Sequence, residues 1–287
     1  MMGKSATSRS SVVLLLALIL VALPLKGGLA AFPDQPKQET VAAFDRYVRL
    51  TEARVEKELR KDGPYLWVDL QTINRERDRQ QLRAGEVVIE KLATRDNGAE
   101  IECPDGDIHH WIGTVFIPGV TLDQYLAFVQ DYNRHQDHFK PDVGRSQLLE
   151  RKGDEFRVFF RFYKKKFGIT AVHDTWHDIR YFRLSPTRAG SRTLTTRILD
   201  VEAYGKPAEK HRSAEDDRGY LWRLNTWWRF EERDGGVYVQ SESVTLTRNV
   251  PWIAKPFVRG FPRDQLTLTL GTSRSALVSI TAARTAK

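Results

Sequence analysis

Seven histidines and one cysteine carry most of the chemical scope of this 287-residue chain. Cys103 stands in the turn-forming stretch Glu102-Cys103-Pro104-Asp105, and His109 and His110 follow shortly after it. A thiol nucleophile with an imidazole base needs those residue types, although nearness along the chain is not geometry. His173 and His177 are four apart in a segment that reads as a strand. They therefore share a face but stand roughly 13 Å apart along it, too far to hold one ion directly. Together with Asp174 and Tyr181 they are the acid/base candidates. His135 and His138, with Asp131 and Asp137 beside them, have a spacing at which two ligands converge on a helix. Surface histidines beside acids outnumber metal sites, so neither a metal nor a cofactor is expected. The chain has no serine elbow, HExxH string, phosphate loop or dinucleotide glycine motif.

Aromatic residues form the second group. The chain has 14 Phe, 9 Tyr and 7 Trp, enough to build either a bulky core or the wall of an apolar cavity. Phe160, Phe162, Trp176, Tyr181, Trp222, Trp228 and Phe230 fall on segments that read as strands, where alternate positions face one side. They are the candidate ligand-binding residues. Trp227 and Trp228 are neighbours, so at most one faces inward, and each of these side chains also suits ordinary core packing.

The elements that must position them follow from periodicity. Val41, Phe44, Val48, Val55 and Leu59 lie on one stripe between Gln38 and Arg60, which predicts an amphipathic helix stopped by Gly63 and Pro64. Polar residues from Asp69 to Arg83 connect it to strands at Glu86 to Leu92 and Ile108 to Ile117. Thr121 is a good N-cap for a helix running to about Asn133. From Ser146 to Asn249 strands alternate with short turns, among them Lys152-Gly153-Asp154 and Asp234-Gly235-Gly236, which implies an antiparallel meander. Leu266, Leu270, Leu277 and Ile280 then recur at helical spacing, after prolines at 251, 256 and 262. The N-terminal helix is placed either on the outer sheet face or over a cavity mouth.

The amino end carries Lys4 and Arg9, an apolar run of 12 residues from Val12 to Leu23, and small residues at Ala30 and Ala31. This is the order of a cleavable secretory signal over residues 1–30. A membrane-spanning helix needs about 20 apolar residues, so a permanent anchor is not expected. Secretion or periplasmic residence follows. Removing that segment takes away three basic residues and no acid, and the formal charge falls from +8 to +5. Such a charge suits solubility and a weak attraction to anionic membrane surfaces. The only tight basic cluster, Lys164 to Lys166, reads as a solvated hairpin end, so nucleic acid is not expected as a partner. A single cysteine forbids an intramolecular disulfide, and stability must come from burial.

From Ile108 onward the order of elements resembles the START-like, helix-grip (SRPBCC) superfamily of polyketide cyclase-like and lipid-transfer proteins. The matching texture is the strand ending Thr114 to Gly119, the helix opening Thr121-Leu122-Asp123-Gln124-Tyr125 and the segment Asp131-Tyr132-Asn133-Arg134-His135. Trp227-Trp228-Arg229-Phe230-Glu231, the Asp234-Gly235-Gly236 turn and the terminal helix complete it. The resemblance implies an α+β fold, a curved antiparallel β-sheet wrapped around a long C-terminal helix. A cavity between them would accept an apolar or amphipathic, lipid-like small molecule. The divisions expected are 1–30 for the signal, 31–84 for the extra N-terminal helix and its connection, and 85–287 for the START-like domain. Binding without catalysis is the leading expectation; a cavity enzyme using acid/base residues and a partner-binding domain with a filled interior are the alternatives.

Overall fold

Alternating apolar and polar residues carry most of the chain through one long antiparallel meander, and both faces of its central strands are buried. The computed structural model describes residues 35–60, 63–71, 73–166, 169–212, 220–249 and 260–285, all within the compact unit Pro33–Lys287. The expected signal at residues 1–30, and the prolines at 251 and 256, lie outside the described residues.

Strands β1 (Val88–Lys91), β4 (Gly106–Pro118), β5 (Val143–Lys152), β6 (Glu155–Lys166), β7 (Ile169–Ser185), β8 (Arg188–Glu202), β9 (Lys210–His211), β10 (Leu221–Arg233) and β11 (Gly236–Arg248) make one nine-stranded sheet. Its order is β1-β4-β11-β10-β8-β7-β6-β5, every pairing is antiparallel, and β9 pairs with β8. Two further strands, β2 (Arg95–Asp96) and β3 (Ala99–Glu100), form a separate hairpin over the turn at Asn97 and Gly98, both at positive φ. Sequence periodicity missed this hairpin because two-residue strands have no period to read.

The sheet must curl. Val115 and Ile117 of β4 share one buried cluster with Val143, Phe156, Val158 and Phe160 of β5 and β6, near the other end of the strand order. Register shifts between Trp176 and His177, Leu148 and Glu150, and Leu221 and Arg223 supply the bending, since a bulge kinks its strand and increases local twist.

Into the inner face packs the terminal helix, α6 (Phe261–Thr285), which buries Leu266, Leu270, Ser273 and Leu277 at spacings of four, three and four. The end of the same face is closed by α4 (Leu122–Gln130), whose Leu122 and Tyr125 are fully buried. A capping box starts α4: Thr121 Oγ1 accepts from the Gln124 backbone N–H at 3.3 Å, and Gln124 Oε1 accepts from the Thr121 N–H at 3.0 Å. A 3-10 turn (Tyr132–Arg134) and α5 (His135–His138) follow.

The N-terminal helix α1 (Gln38–Leu59) lies on the outer face, which settles the choice that sequence left open. Its Phe44, Tyr47, Val48 and Val55 pack on Trp222, Trp227, Val244 and Leu246. Two short helices, α2 (Trp67–Leu70) and α3 (Arg75–Arg83), stand where a polar connector was expected, and Leu66, Trp67, Val68 and Leu82 cover Ile112, Phe116 and Tyr238. The Trp67 backbone N–H donates to Gln240 Oε1 at 2.6 Å, and the Tyr65 hydroxyl donates to the Ala189 carbonyl at 2.6 Å. Three layers result: α1 to α3 outside, the sheet, and α6 with α4 inside.

Candidate functional site on the inner face of the sheet

Cross-strand partners point to the same side of a sheet, so the pairing registers resolve the inner face into transverse rows. Nearest α4 lies an apolar row, Val115, Val239, Phe230 and Ala189. The next row is Gly113, Ser241, Trp228, Ser191 and Tyr181, and the one after it is Trp111, Ser243, Thr226, Thr193 and Ile179. Beyond these come His109 opposite Thr245, and His177 opposite Thr195. The face therefore changes along the strands from a wholly apolar row to rows in which glycine and small hydroxyls stand among Trp228, Tyr181, Trp111 and Ile179.

Over Gly113 the helix sits close, since a Cβ there would come within 2.9 Å of Leu270 Cδ1. Elsewhere on the face Trp111, Phe162, Leu224, Thr226 and Trp228 point inward yet are only half-buried, while Ser241 beside them is completely buried. Ser241 Oγ and Trp111 Nε1 are also buried without a hydrogen-bond partner among the described residues.

The aromatic candidates divide between the two faces. Phe160, Phe162, Tyr181, Trp228 and Phe230 are on the inner face and belong to, or pack against, its cluster. Trp176 does not join them: it pairs with Phe159 and Arg197 on the outer face, with the Arg197 guanidinium 5.1 Å from its ring. Trp222 does not join them either, because the shift between Leu221 and Arg223 turns it outward beneath α1, into the cluster with Phe44 and Val55.

The acid/base candidates divide too. His177 is buried on the inner face, where Nε2 bonds Thr175 Oγ1 at 2.7 Å and Nδ1 bonds Thr195 Oγ1 at 3.0 Å. Burial pushes its imidazole down to about 3, so it is neutral at neutral pH. Tyr181 shares a 2.6 Å hydrogen bond with the Tyr132 hydroxyl, and burial drives both phenols upward. His173 faces the same side and bonds Asp200 Oδ1 through Nδ1 at 2.6 Å. Asp174 alternates to the outer face, where Arg161 grips it in two hydrogen bonds of 2.7 and 2.8 Å and His211 Nε2 approaches at 2.7 Å. The four acid/base candidates therefore do not converge on one point.

The other histidines are also engaged. His135 is buried, bonds the Val129 carbonyl at 3.0 Å, and is pushed down by burial to about 4. Cys103 and the two histidines after it form no dyad. His110 commits both ring nitrogens, Nδ1 to the Tyr47 hydroxyl at 2.9 Å and Nε2 to Glu242 at 2.7 Å, and His109 Nε2 lies 2.8 Å from Thr247 Oγ1. Burial, then Asp107, pushes the Cys103 thiol up to about 11, away from the reactive thiolate.

What sequence reasoning missed on the inner face are Trp111 and the hydroxyl residues. A signal was present: from Ser241 to Thr247 the hydroxyls occupy one alternation phase, while Val244 and Leu246 occupy the other. On the outer side, an open depression of about 530 Å³ lies between α1 and the β2–β3 hairpin, lined by Ala42, Arg46, Arg49, Asn97 and Ile101. Another, of about 460 Å³, lies by the β5–β6 turn beside Lys152 and Arg180. Both are open surface features, and neither is lined by Trp111, Trp228 or Ser241.

The curled antiparallel sheet closes on one long C-terminal helix. The architecture is a helix grip. No family model matches the sequence, and no curated protein matches it. Among solved structures, the helix-grip chain is similar to a STAR-related lipid transfer protein from Xanthomonas axonopodis, with 16% identity and a TM-score of 0.40 over 65% of this chain and 97% of that one. It is similar also to a START superfamily protein from Mycobacterium smegmatis (10%, 0.41, covering 60% and 98%) and to the Zhui aromatase/cyclase from a Streptomyces (12%, 0.38, covering 59% and 93%). What makes the chain a helix grip is its own strand order and the seat of α6.

Proposed function

We propose that this helix-grip chain binds an apolar or amphipathic small molecule between the inner sheet face and α6, and that it does so after export directed by residues 1–30. The observation that carries the binding reading is the coexistence of small buried hydroxyls with half-buried Trp111, Phe162 and Trp228 on a face that a helix covers. A face meant only for packing would fill those positions with large aliphatic side chains. Binding is favoured over turnover because Asp174 faces the other side and His177 stays neutral between two threonine hydroxyls. The ordered basic, apolar and small-residue regions of the amino end support export.

Native mass spectrometry of the chain purified from its producing cells tests the ligand. An apolar molecule released by solvent extraction is expected. A bare mass, together with no saturable quenching of tryptophan emission by doxyl-stearate or 2-acetylnaphthalene, overturns the reading. For export, mass spectrometry of the secreted chain is expected to show an amino terminus near residue 31; retention of the full-length chain in the cytosol overturns it.

A further inference from the structure

Two buried polar atoms on the inner face have no protein partner among the described residues, and both belong to the rows where side chains are smallest. Ser241 is completely buried. Trp111 lies opposite Ser243, two residues along β11 from Ser241, so the two side chains are diagonal neighbours about 7 Å apart at their origins. An unpaired buried hydroxyl or indole N–H forfeits the hydrogen bond it had in water, a cost that a ligand can remove by supplying an acceptor. Trp222 and Trp227 also have indole N–H groups with no partner among the described residues, but both are well buried in the outer cluster beneath α1. Trp111 differs, since its ring is half-buried beside the half-buried Thr226 and Trp228.

We infer that Trp111 and Ser241 form a polar subsite for one neutral acceptor oxygen, a ketone, aldehyde or ester carbonyl, on an otherwise apolar ligand. This deepens the proposed binding function and rests on it. The indole N–H can only donate and the hydroxyl can donate, so together they suit an oxygen with two lone pairs. Neutrality follows from the surroundings: neither row, Gly113-Ser241-Trp228-Ser191-Tyr181 nor Trp111-Ser243-Thr226-Thr193-Ile179, contains a lysine or arginine. A buried carboxylate there would have no cation to offset its desolvation. Gly113 lets α6 sit low on this row, since a Cβ at that position would come within 2.9 Å of Leu270 Cδ1.

The test titrates wild type, Trp111→Phe and Ser241→Ala with two probes of similar size, 2-acetylnaphthalene and 2-ethylnaphthalene, following tryptophan emission. Wild type is expected to favour the ketone about tenfold, the worth of one to two buried hydrogen bonds. Each variant is expected to shrink that ratio several-fold, the loss falling on 2-acetylnaphthalene more than on 2-ethylnaphthalene. The infrared carbonyl band of bound 2-acetylnaphthalene should lie lower in wild type than in either variant, a readout independent of affinity; Ser241→Cys serves if the alanine variant misfolds. Equal affinity for the two probes in wild type, or a carbonyl band unmoved by both substitutions, overturns the subsite and leaves the binding function standing. If neither probe binds wild type, the binding reading falls first and the subsite with it.

Discussion

His110 Nε2 donates to Glu242 Oε1 at 2.7 Å beneath α1, with both side chains about 2% exposed. The hydrogen-bond directions are mutually consistent. The Thr94 backbone N–H donates to the Tyr47 hydroxyl, that hydroxyl donates to His110 Nδ1, and the Nε2 proton then points at the carboxylate. Arg54 of α1 also reaches Glu242, and Arg229 joins Glu58 of α1 at 2.5 Å. Burial pushes the Glu242 carboxyl up, but the His110 bond and the Arg54 charge outweigh it and hold it below the usual range. Removing one member of such a buried pair strands the other, so Glu242→Leu should destabilise by about 3 kcal/mol, and Tyr47→Phe by about 1 kcal/mol. Urea unfolding followed by circular dichroism measures both.

Stability should fall on acidification below neutral pH. In the unfolded chain histidine titrates near 6.5, whereas folded His135 and His177 are held down to about 4 and about 3. Between those values the unfolded chain binds more protons, so stability rises with pH from about 3 to 6.5 and levels off above. Each buried histidine contributes a slope of up to about 1.4 kcal/mol per pH unit within its window. Glu242 acts in the same sense at lower pH: its stabilisation is complete above the unfolded carboxyl value and is lost as pH falls through its depressed folded value. Urea midpoints at pH 4.5, 5.5, 6.5 and 7.5 should climb and then plateau, with a shallower climb in His177→Gln.

Tyr132 and Tyr181 share a hydrogen bond at 2.6 Å in the wall near α4. Tyr181→Phe leaves the Tyr132 hydroxyl unpaired in a buried site, which costs about 1 to 3 kcal/mol. Replacing both by Phe should cost less than the sum of the two single changes, since no polar atom is then stranded. A double-mutant cycle on thermal unfolding reads the coupling.

Gly236 begins β11 where it crosses β4. A Cβ there would lie 2.3 Å from the Ile117 carbonyl oxygen and 2.8 Å from the Phe116 ring. A backbone oxygen cannot swing aside as a side chain does, so Gly236→Ala should destabilise by about 2 kcal/mol. Gly153→Ala, at an open turn where nothing stands within 4 Å of the added atom but φ is +58°, should cost about 1 kcal/mol from backbone strain. Thermal unfolding of the pair separates crowding from strain.

Local periodicity made much of the architecture legible. The α1 stripe of Phe44, Val48 and Val55, the Thr121 cap, the meander turns at Gly153 and Gly235, and the Leu266-Leu270-Leu277 stripe each depend on contacts between residues close in sequence. Alternation likewise put His173 and His177 on one face. By itself it could not fix which face looks toward α6 once a bulge intervened. Trp222, two residues before Leu224 and nominally in phase with Trp228, was turned to the other side by the shift at Leu221/Arg223, and only pairing with Thr247 and Leu246 reveals it. Trp176 and Asp174 went outward because inward phase in β7 is set by long-range pairing with Phe160 and Thr195.

The sequence by itself determined the kinds and order of the long elements, since helix stripes, strand alternation and turn chemistry act over a few residues, whereas the β2–β3 hairpin and the short α2 and α3 escaped it. Only the tertiary structure decided that α1 roofs the outer face, that His110 meets Glu242 across 132 residues of chain, and that Trp111 Nε1 and Ser241 Oγ face inward with no hydrogen-bond partner among the described residues. Those relations are fixed by strand register and sheet curl, which sum pairings between distant segments and leave no local pattern to read.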